Sequence, residues 1–335
     1  MTAIRLLSVV VPVFNEEAVI GEFNRRMTET LRGLPFACEL IYVNDGSRDR
    51  TADLIRGFLQ SSPATSLLDL SRNFGKEAAM TAGIDHASGD ALVVIDADLQ
   101  DPPELIAEMV RVLQSGDYDV VYAQRASRSG ETVLKKTSAH LFYRVIGRLT
   151  GIDIPRDTGD FRLLNSRAIE ALRRLREHHR FMKGLFAWIG FRQVALVYDR
   201  DPRFAGESKF DYWRLWNFSL EGITSFTTAP LKVASYVGLV TSVGAVIYGA
   251  GIVIGTIIFG NPVAGYPSLL VVVLFLGGLQ LLTLGIIGEY LGRIFNESKQ
   301  RPLYFVREHL RGSTAISPAM PETVHASTPE PALHG

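Results

Sequence analysis

The sequence predicts an α/β protein with a mainly parallel sheet, followed by a hairpin of two apolar helices. Three observations carry this. Short apolar runs alternate with amphipathic segments through the first two thirds of the chain, the pattern of βαβ units. Each run ends in a polar loop, and in an open parallel sheet such loops gather on one edge, where ligands bind. Two stretches, 233–259 and 267–288, contain no charged side chain. Each exceeds the roughly 20 residues needed to cross the hydrocarbon core of a bilayer.

In chain order, Leu6 to Phe14 reads as the first strand and closes on Pro12-Val-Phe-Asn-Glu-Glu17. The helix after it sets Val19, Ile20, Phe23, Met27 and Leu31 near one face. Cys38 to Val43 is the second strand. Its loop, Asn44-Asp-Gly-Ser-Arg-Asp-Arg-Thr51, offers Asp and Ser as caps for a helix from about Thr51. Ser66 to Leu70 is a third strand, ending in Ser71-Arg-Asn-Phe-Gly-Lys-Glu77, with a helix to about Ala87. Ala91 to Ile95 runs into Asp96, Asp98 and Asp101, and Pro102-Pro103 opens a helix to Gln114. Asp119 to Ala123 is a further strand ending at Arg125. The segment 157–164 is a polar loop entering a strand, Arg167 to Glu177 a helix, and Phe191 to Tyr198 another strand.

Asp96 and Asp98 are two apart, so in extended chain both carboxylates point one way. Hard oxygen ligands of this kind suit Mg²⁺ or Mn²⁺ carrying phosphates. Asp and Pro are also ordinary turn residues, and a simple turn is the competing reading. Glu16, Asp45, Lys76 and the Asp96/Asp98 pair each follow a strand, and this repetition favours a shared crevice. No Gly-x-Gly-x-x-Gly follows the first strand and no Walker-type loop occurs, which disfavours dinucleotide and P-loop chemistry.

Lysine plus arginine equals aspartate plus glutamate, 35 each, so bulk charge gives no argument for nucleic acid. One cysteine, Cys38, excludes an internal disulfide framework and reads as a small core residue. The N-terminal apolar run is too short for a signal peptide and reads as a strand. Segment 134–149 mixes lysines, arginines and leucines, as a helix on a membrane surface does; an ordinary surface helix has the same pattern. Trp213 and Trp216 precede the first apolar run, as interface residues do. Lys232 before the hairpin, and Arg293, Lys299, Arg301 and Arg307 after it, place both flanks in the cytoplasm. Arg200, Arg203 and Lys209 surround Gly206 in a loop that suits an anion or is simply a solvated charged loop. The segment 312–335 has the composition of a disordered tail.

These stretches together resemble family 2 glycosyltransferases of the nucleotide-diphospho-sugar (GT-A) fold. The narrower resemblance is to polyisoprenyl-phosphate glycosyltransferases, the bactoprenol glucosyltransferases and dolichyl-phosphate mannose synthases. It is carried by residues 11–17, 43–51, 71–77, 96–103, 158–163 and 203–209, with Gly288-Glu-Tyr-Leu-Gly-Arg293 behind them. It implies a transferase domain over 1–230, with membrane-surface helices at about 131–149 and 210–228. A two-helix membrane segment would occupy 231–292 and a cytoplasmic segment 293–311.

The resemblance also implies residue roles. Pro12, Phe14, Glu16, Val43 and Asp45 would border the base and ribose. Lys76, Asp96, Ala97, Asp98 and Gln100 would line the diphosphate, and Asp98, with Asp96, would hold the metal. Arg125, Arg200, Arg203 and Lys209 would hold phosphate. Asp160 is the residue usually proposed as catalytic base. The partners implied are a nucleotide sugar, UDP-glucose first, then GDP-mannose, UDP-N-acetylglucosamine or an aminoarabinose donor, and undecaprenyl phosphate in a bacterial plasma membrane. Related proteins suggest a homo-oligomer, a tetramer among them. A sugar-nucleotide-binding subunit without catalysis is the competing class; a missing Asp98 or Lys209 would favour it. The chain lacks the Gln-x-x-Arg-Trp sequence of processive synthases, which argues for transfer of a single sugar.

Overall fold

The structure is a computed structural model, and it describes residues 4–61, 64–126, 155, 158–198, 227–260 and 265–312. Segments 131–149 and 210–226, Arg200, Arg203 and Lys209, and the tail from residue 313 lie outside the described residues.

One eight-stranded sheet organises the chain, in the order β7-β5-β6-β4-β1-β2-β3-β8. Its central strands are β1 (Leu6–Val13), β2 (Ala37–Asn44), β3 (Thr65–Leu70) and β4 (Ala91–Val94). All four run parallel. Their residues are almost all buried, as a sheet covered on both faces requires. One face is covered by α1 (Ile20–Arg32), α2 (Thr51–Ser61) and α4 (Ile106–Gln114). In α1 the buried residues are Ile20, Phe23, Met27 and Leu31, the single stripe predicted. The other face carries α3 (Lys76–His86), α5 (Ser166–Arg174) and α6 (Met182–Trp188).

Helix α3 is buried from Ala78 through Ile84, and small side chains let it lie close to the sheet. A Cβ on Gly83 would overlap the Val10 side chain of β1. Gly83→Ala should therefore lower stability by about 1–3 kcal/mol, the usual cost of overpacking, read as a lower thermal midpoint; an unchanged midpoint would contradict this packing.

The sheet departs from a purely parallel one at three strands. β5 (Val120–Arg125) and β7 (Gln193–Tyr198) pair in parallel with each other. β6 (Thr158–Asn165) is inserted antiparallel between β4 and β5. β8 (Val306–Arg311) pairs antiparallel with β3 at the far edge. β8 lies within 293–311, the stretch expected to be a cytoplasmic segment after the hairpin, and shows that its end belongs to the sheet. Its composition, Val-Arg-Glu-His-Leu-Arg, suits an exposed edge strand and gives a weak β signal.

Helices α7 (Ala229–Phe259) and α8 (Tyr266–Ser298) form the apolar pair. Both are long and apolar enough to cross a membrane, and none of either apolar window is buried. α8 runs ten residues past the expected end at 288. Glu289 and Arg293 pair one helical turn apart at 3.0 Å, and such pairs extend a helix through charged sequence. The chain then turns at Gln300, with φ +46°, and returns to the sheet as β8.

Candidate active site

The carboxyl ends of β1, β2, β3 and β4, and the amino end of antiparallel β6, share one sheet edge. β4 and β6 pair Val94 with Arg162. Continuing that register past the end of β4 sets Asp160 opposite Asp96. Two carboxylates face to face would repel, and Lys76 answers this from the first turn of α3. Its Nζ lies 2.7 and 2.8 Å from the two Asp96 oxygens and 2.5 Å from Asp160 Oδ2.

The charge states follow from these neighbours. Asp160 is 7% exposed. Burial pushes its carboxyl up, but Lys76, Lys183 and Arg162 more than reverse this and hold it well below the usual carboxylate range. Burial pulls Lys76 down, and Asp160 and Asp96 raise it well above the ordinary lysine value. Burial leaves Asp96 raised, although Lys76 opposes it. The triad therefore carries an ionised Asp160 locked to an ionised Lys76. The contribution of Asp160 to stability is full above its unfolded pKa of about 3.9 and is lost as pH falls through its depressed folded value. That of Lys76 is full below about 10.4 and is lost as pH rises toward its raised folded value. Lys76→Met should lower the thermal midpoint by a constant amount across this window, with the gap closing in acid. A gap that changes steeply near neutrality would contradict the pairing.

Asp98 stands beside the triad in a tight turn. Gln100 N–H donates to its Oδ1 at 3.1 Å, and Leu99 between them is buried with φ +58°. A bulky residue in the left-handed region is strained, and such strain clusters at ligand sites. Gln100 is buried and its Oε1 has no hydrogen-bond partner. Ala97 is buried under the turn. Asp101, the third carboxylate, serves a different purpose. It accepts a short hydrogen bond from the Tyr198 hydroxyl and lies 3.7 Å from Arg125 Nη2, fixing Arg125 at the end of β5.

The nucleotide-side candidates fall on β1 and β2. Pro12 and Val43 are register partners; both are buried, and Val43 packs in the core. Only their main chain borders the edge. Phe14 is 38% exposed. Glu16 N–H donates to Thr51 Oγ1 at 2.8 Å, and its carbonyl caps the start of α1. Asp45 is buried, and its two oxygens accept from Phe74 and Gly75 N–H at 2.7 and 2.9 Å. It therefore ties the β2 loop to the loop that leads into Lys76. Gly75, with φ +98°, makes that turn possible.

Three residues not singled out in the sequence complete the surroundings. Lys183 Nζ donates to Thr158 O at 3.0 Å. Arg162 is buried, donates to Gly159 O at 3.1 Å and stacks 3.9 Å over the Phe186 ring. Glu77 accepts from Met182 N–H at 3.1 Å, and burial beside Asp160 pushes its carboxyl up to about 8. Lys183 lies on α6, a short helix that gave no clear sequence pattern. Arg162 lies two residues from Asp160 along β6 and so on the same face, the one signal that could have found it.

Among the described residues no three His, Cys, Asp or Glu side chains converge as a metal cage. Small divalent cations commonly take one or two carboxylates and complete their shell with substrate phosphates and water. The partly exposed Asp98 fits that demand. Both Asp96 oxygens already lie on Lys76, so Asp98 is the better-placed oxygen donor.

The sheet sets carboxylates and basic groups together on one edge, where ligands of open α/β sheets bind, and similarity to known proteins gives the class, a glycosyltransferase. The sequence matches the Glycosyl transferase family 2 model over residues 8–173. It is 51% identical over 302 residues to an uncharacterized glycosyltransferase of Synechocystis sp., covering 90% of this chain and 95% of that one. It is 46% identical over 307 residues to the SfII prophage-derived bactoprenol glucosyl transferase of Shigella flexneri, covering 92% and 99%. Among solved structures, the glucosyl-3-phosphoglycerate synthase of Mycobacterium tuberculosis aligns with 66% of this chain and 78% of its own, at TM-score 0.49 and 20% identity. The chain belongs to glycosyl transferase family 2.

Proposed function

We propose that the protein transfers one glucose from UDP-glucose to undecaprenyl phosphate at the cytoplasmic face of a bacterial plasma membrane. The observation that carries this reading is the Lys76-bridged pair of Asp96 and Asp160 beside the Asp98 turn. The 46% identity to a bactoprenol glucosyl transferase over nearly its whole length supports the acceptor class. Helices α7 and α8 would span the bilayer and hold the sheet edge near the lipid phosphate, with both chain ends in the cytoplasm.

Asp98, and Asp96 if Lys76 releases it, would hold Mg²⁺ or Mn²⁺ against the donor diphosphate. When bound, that cation neutralises charge growing on the leaving group. Arg125, fixed by Asp101 and Tyr198, would hold a phosphate oxygen, and Arg200, Arg203 and Lys209 are proposed for the same task. Pro12, Phe14, Glu16, Val43 and Asp45 would border the nucleoside. A lipid phosphate oxygen attacks the anomeric carbon, the bond from that carbon to the diphosphate breaks, and UDP leaves. Attack opposite the leaving group inverts the configuration.

Asp160 would act without taking a proton. A phosphate monoester has a second pKa near ~6 and is largely ionised at neutral pH. A carboxylate held well below the usual range is a poorer base than that phosphate. Asp160 would instead fix Lys76 and accept from a donor hydroxyl. Membranes containing the protein, given labelled UDP-glucose, GDP-mannose, UDP-N-acetylglucosamine and an aminoarabinose donor, test the reading. UDP-glucose should label the undecaprenyl phosphate pool at least about tenfold faster than the others. Preference for another donor would replace the sugar assignment.

A further inference from the structure

The end of α8 is joined to the carboxylate site by an unbroken run of contacts. Glu297, in the last turn of α8, accepts the backbone N–H of His178 at 2.7 Å and of His179 at 3.4 Å through one carboxylate oxygen. Asn296 lies 3.3 Å from the His179 ring. These histidines sit in the loop between α5 and α6, which Arg180 braces by donating to Leu175 O at 2.7 Å. The loop leads into Met182 and Lys183. Met182 N–H is held by Glu77, the neighbour of Lys76, and Lys183 Nζ holds the Thr158 carbonyl, two residues from Asp160. Glu297 is half-buried, so its contact is not part of the core.

A second connection reaches the same helix, α3, from the other side. After α8, the Tyr304 hydroxyl donates to Asp85 Oδ2 at 3.0 Å, and Arg176 donates to the same oxygen at 2.7 Å. Ser71 N–H donates to Phe305 O at 2.9 Å. The segment following the apolar hairpin thus holds the last turn of α3 and the loop that leads into it, while Glu297 holds the approach to α6. These two helices carry Lys76, Glu77 and Lys183.

We propose that Glu297 is a positioning residue that couples the apolar hairpin to the catalytic carboxylates. It fixes the loop before α6, and α6 sets Asp160 and Lys76 through Lys183 and Glu77. This rests on the glycosyltransferase site proposed above. A chain of packed groups and hydrogen bonds can carry coupling between two places, and misplacing reacting groups by about 1 Å can cost about 10²-fold in rate. Transmission through a loop should cost less.

The experiment uses the full chain in lipid nanodiscs, as Glu297→Ala and Glu297→Gln. Glu297→Ala should lower kcat for labelled UDP-glucose and undecaprenyl phosphate about tenfold, with UDP affinity within about threefold of the unsubstituted protein. Glu297→Gln, whose amide oxygen can still accept both N–H groups, should restore most of kcat. Amide hydrogen exchange at residues 178–183 should quicken about tenfold in Glu297→Ala and stay near the unsubstituted rate in Glu297→Gln. Unchanged exchange and kcat in Glu297→Ala would overturn the proposal, as would equal loss of UDP binding and turnover. If the unsubstituted protein transfers no sugar, the functional reading fails, while the exchange measurement still decides whether Glu297 sets the loop.

Discussion

Asp98→Ala is expected to abolish cation-dependent donor binding and to reduce transfer by about 10³-fold, the scale of losing a principal charge-stabilising group. The argument is geometric. Asp96 is engaged by Lys76 through both oxygens, so it cannot replace Asp98 without breaking an ion pair. Asp101 cannot replace it either, because Tyr198 and Arg125 already use that carboxylate. Asp98 Oδ1 also accepts the Gln100 N–H that closes the turn, so Asp98→Asn, which keeps an acceptor oxygen and loses the charge, is the matched variant. Asp98→Asn should fold with a thermal midpoint near that of the unsubstituted protein and lose the same cation dependence. UDP binding titrated with Mn²⁺ is the direct measurement. Unsubstituted cation dependence in Asp98→Ala would remove Asp98 from the metal role.

Asp160→Asn is expected to cost about 10²–10³-fold in kcat, with a smaller change in donor KM, because it removes one of the two anions that hold Lys76. Asparagine keeps the shape and one acceptor oxygen but leaves Lys76 with Asp96 alone. The pH profile separates this from loss of a base. Asp160 stays ionised far below neutrality, so the unsubstituted enzyme should show no limb from Asp160 above about pH 4. A limb between pH 5 and 7 that disappears in Asp160→Asn would restore the base role. Near-normal turnover in Asp160→Asn would take the residue out of the mechanism altogether.

The strands and the edge they share were legible because each strand is a short apolar run and each site loop is polar. Val93 and Val94 lead to Asp96, and Val11 to Val13 lead to Asn15 and Glu16, so strand ends and site residues coincide. Four of the family motifs, 11–17, 43–51, 71–77 and 96–103, fall at these strand ends. Pair geometry was not legible. That Lys76 would sit between Asp96 and Asp160 depends on the antiparallel insertion of β6 beside β4, a long-range pairing that local pattern does not encode. Asp45 read as a nucleotide contact, and the structure adds a second use, since its oxygens hold Phe74 and Gly75 N–H. Lys183, Glu77 and Arg162 matter through burial and direction, which a polar residue in a sequence does not reveal. β8 was hidden because its charged residues mask a six-residue strand that only β3 makes recognisable.

The most direct test is transfer itself. The purified full chain is mixed with undecaprenyl phosphate, Mn²⁺ and UDP-glucose labelled in the sugar, and the organic phase is counted. The predicted result is label in a single lipid product with one glucose, joined through phosphate with inverted anomeric configuration, and one UDP released per glucose transferred. Hydrolysis of UDP-glucose with no label in the lipid, for this donor and for the other sugar nucleotides, would contradict it.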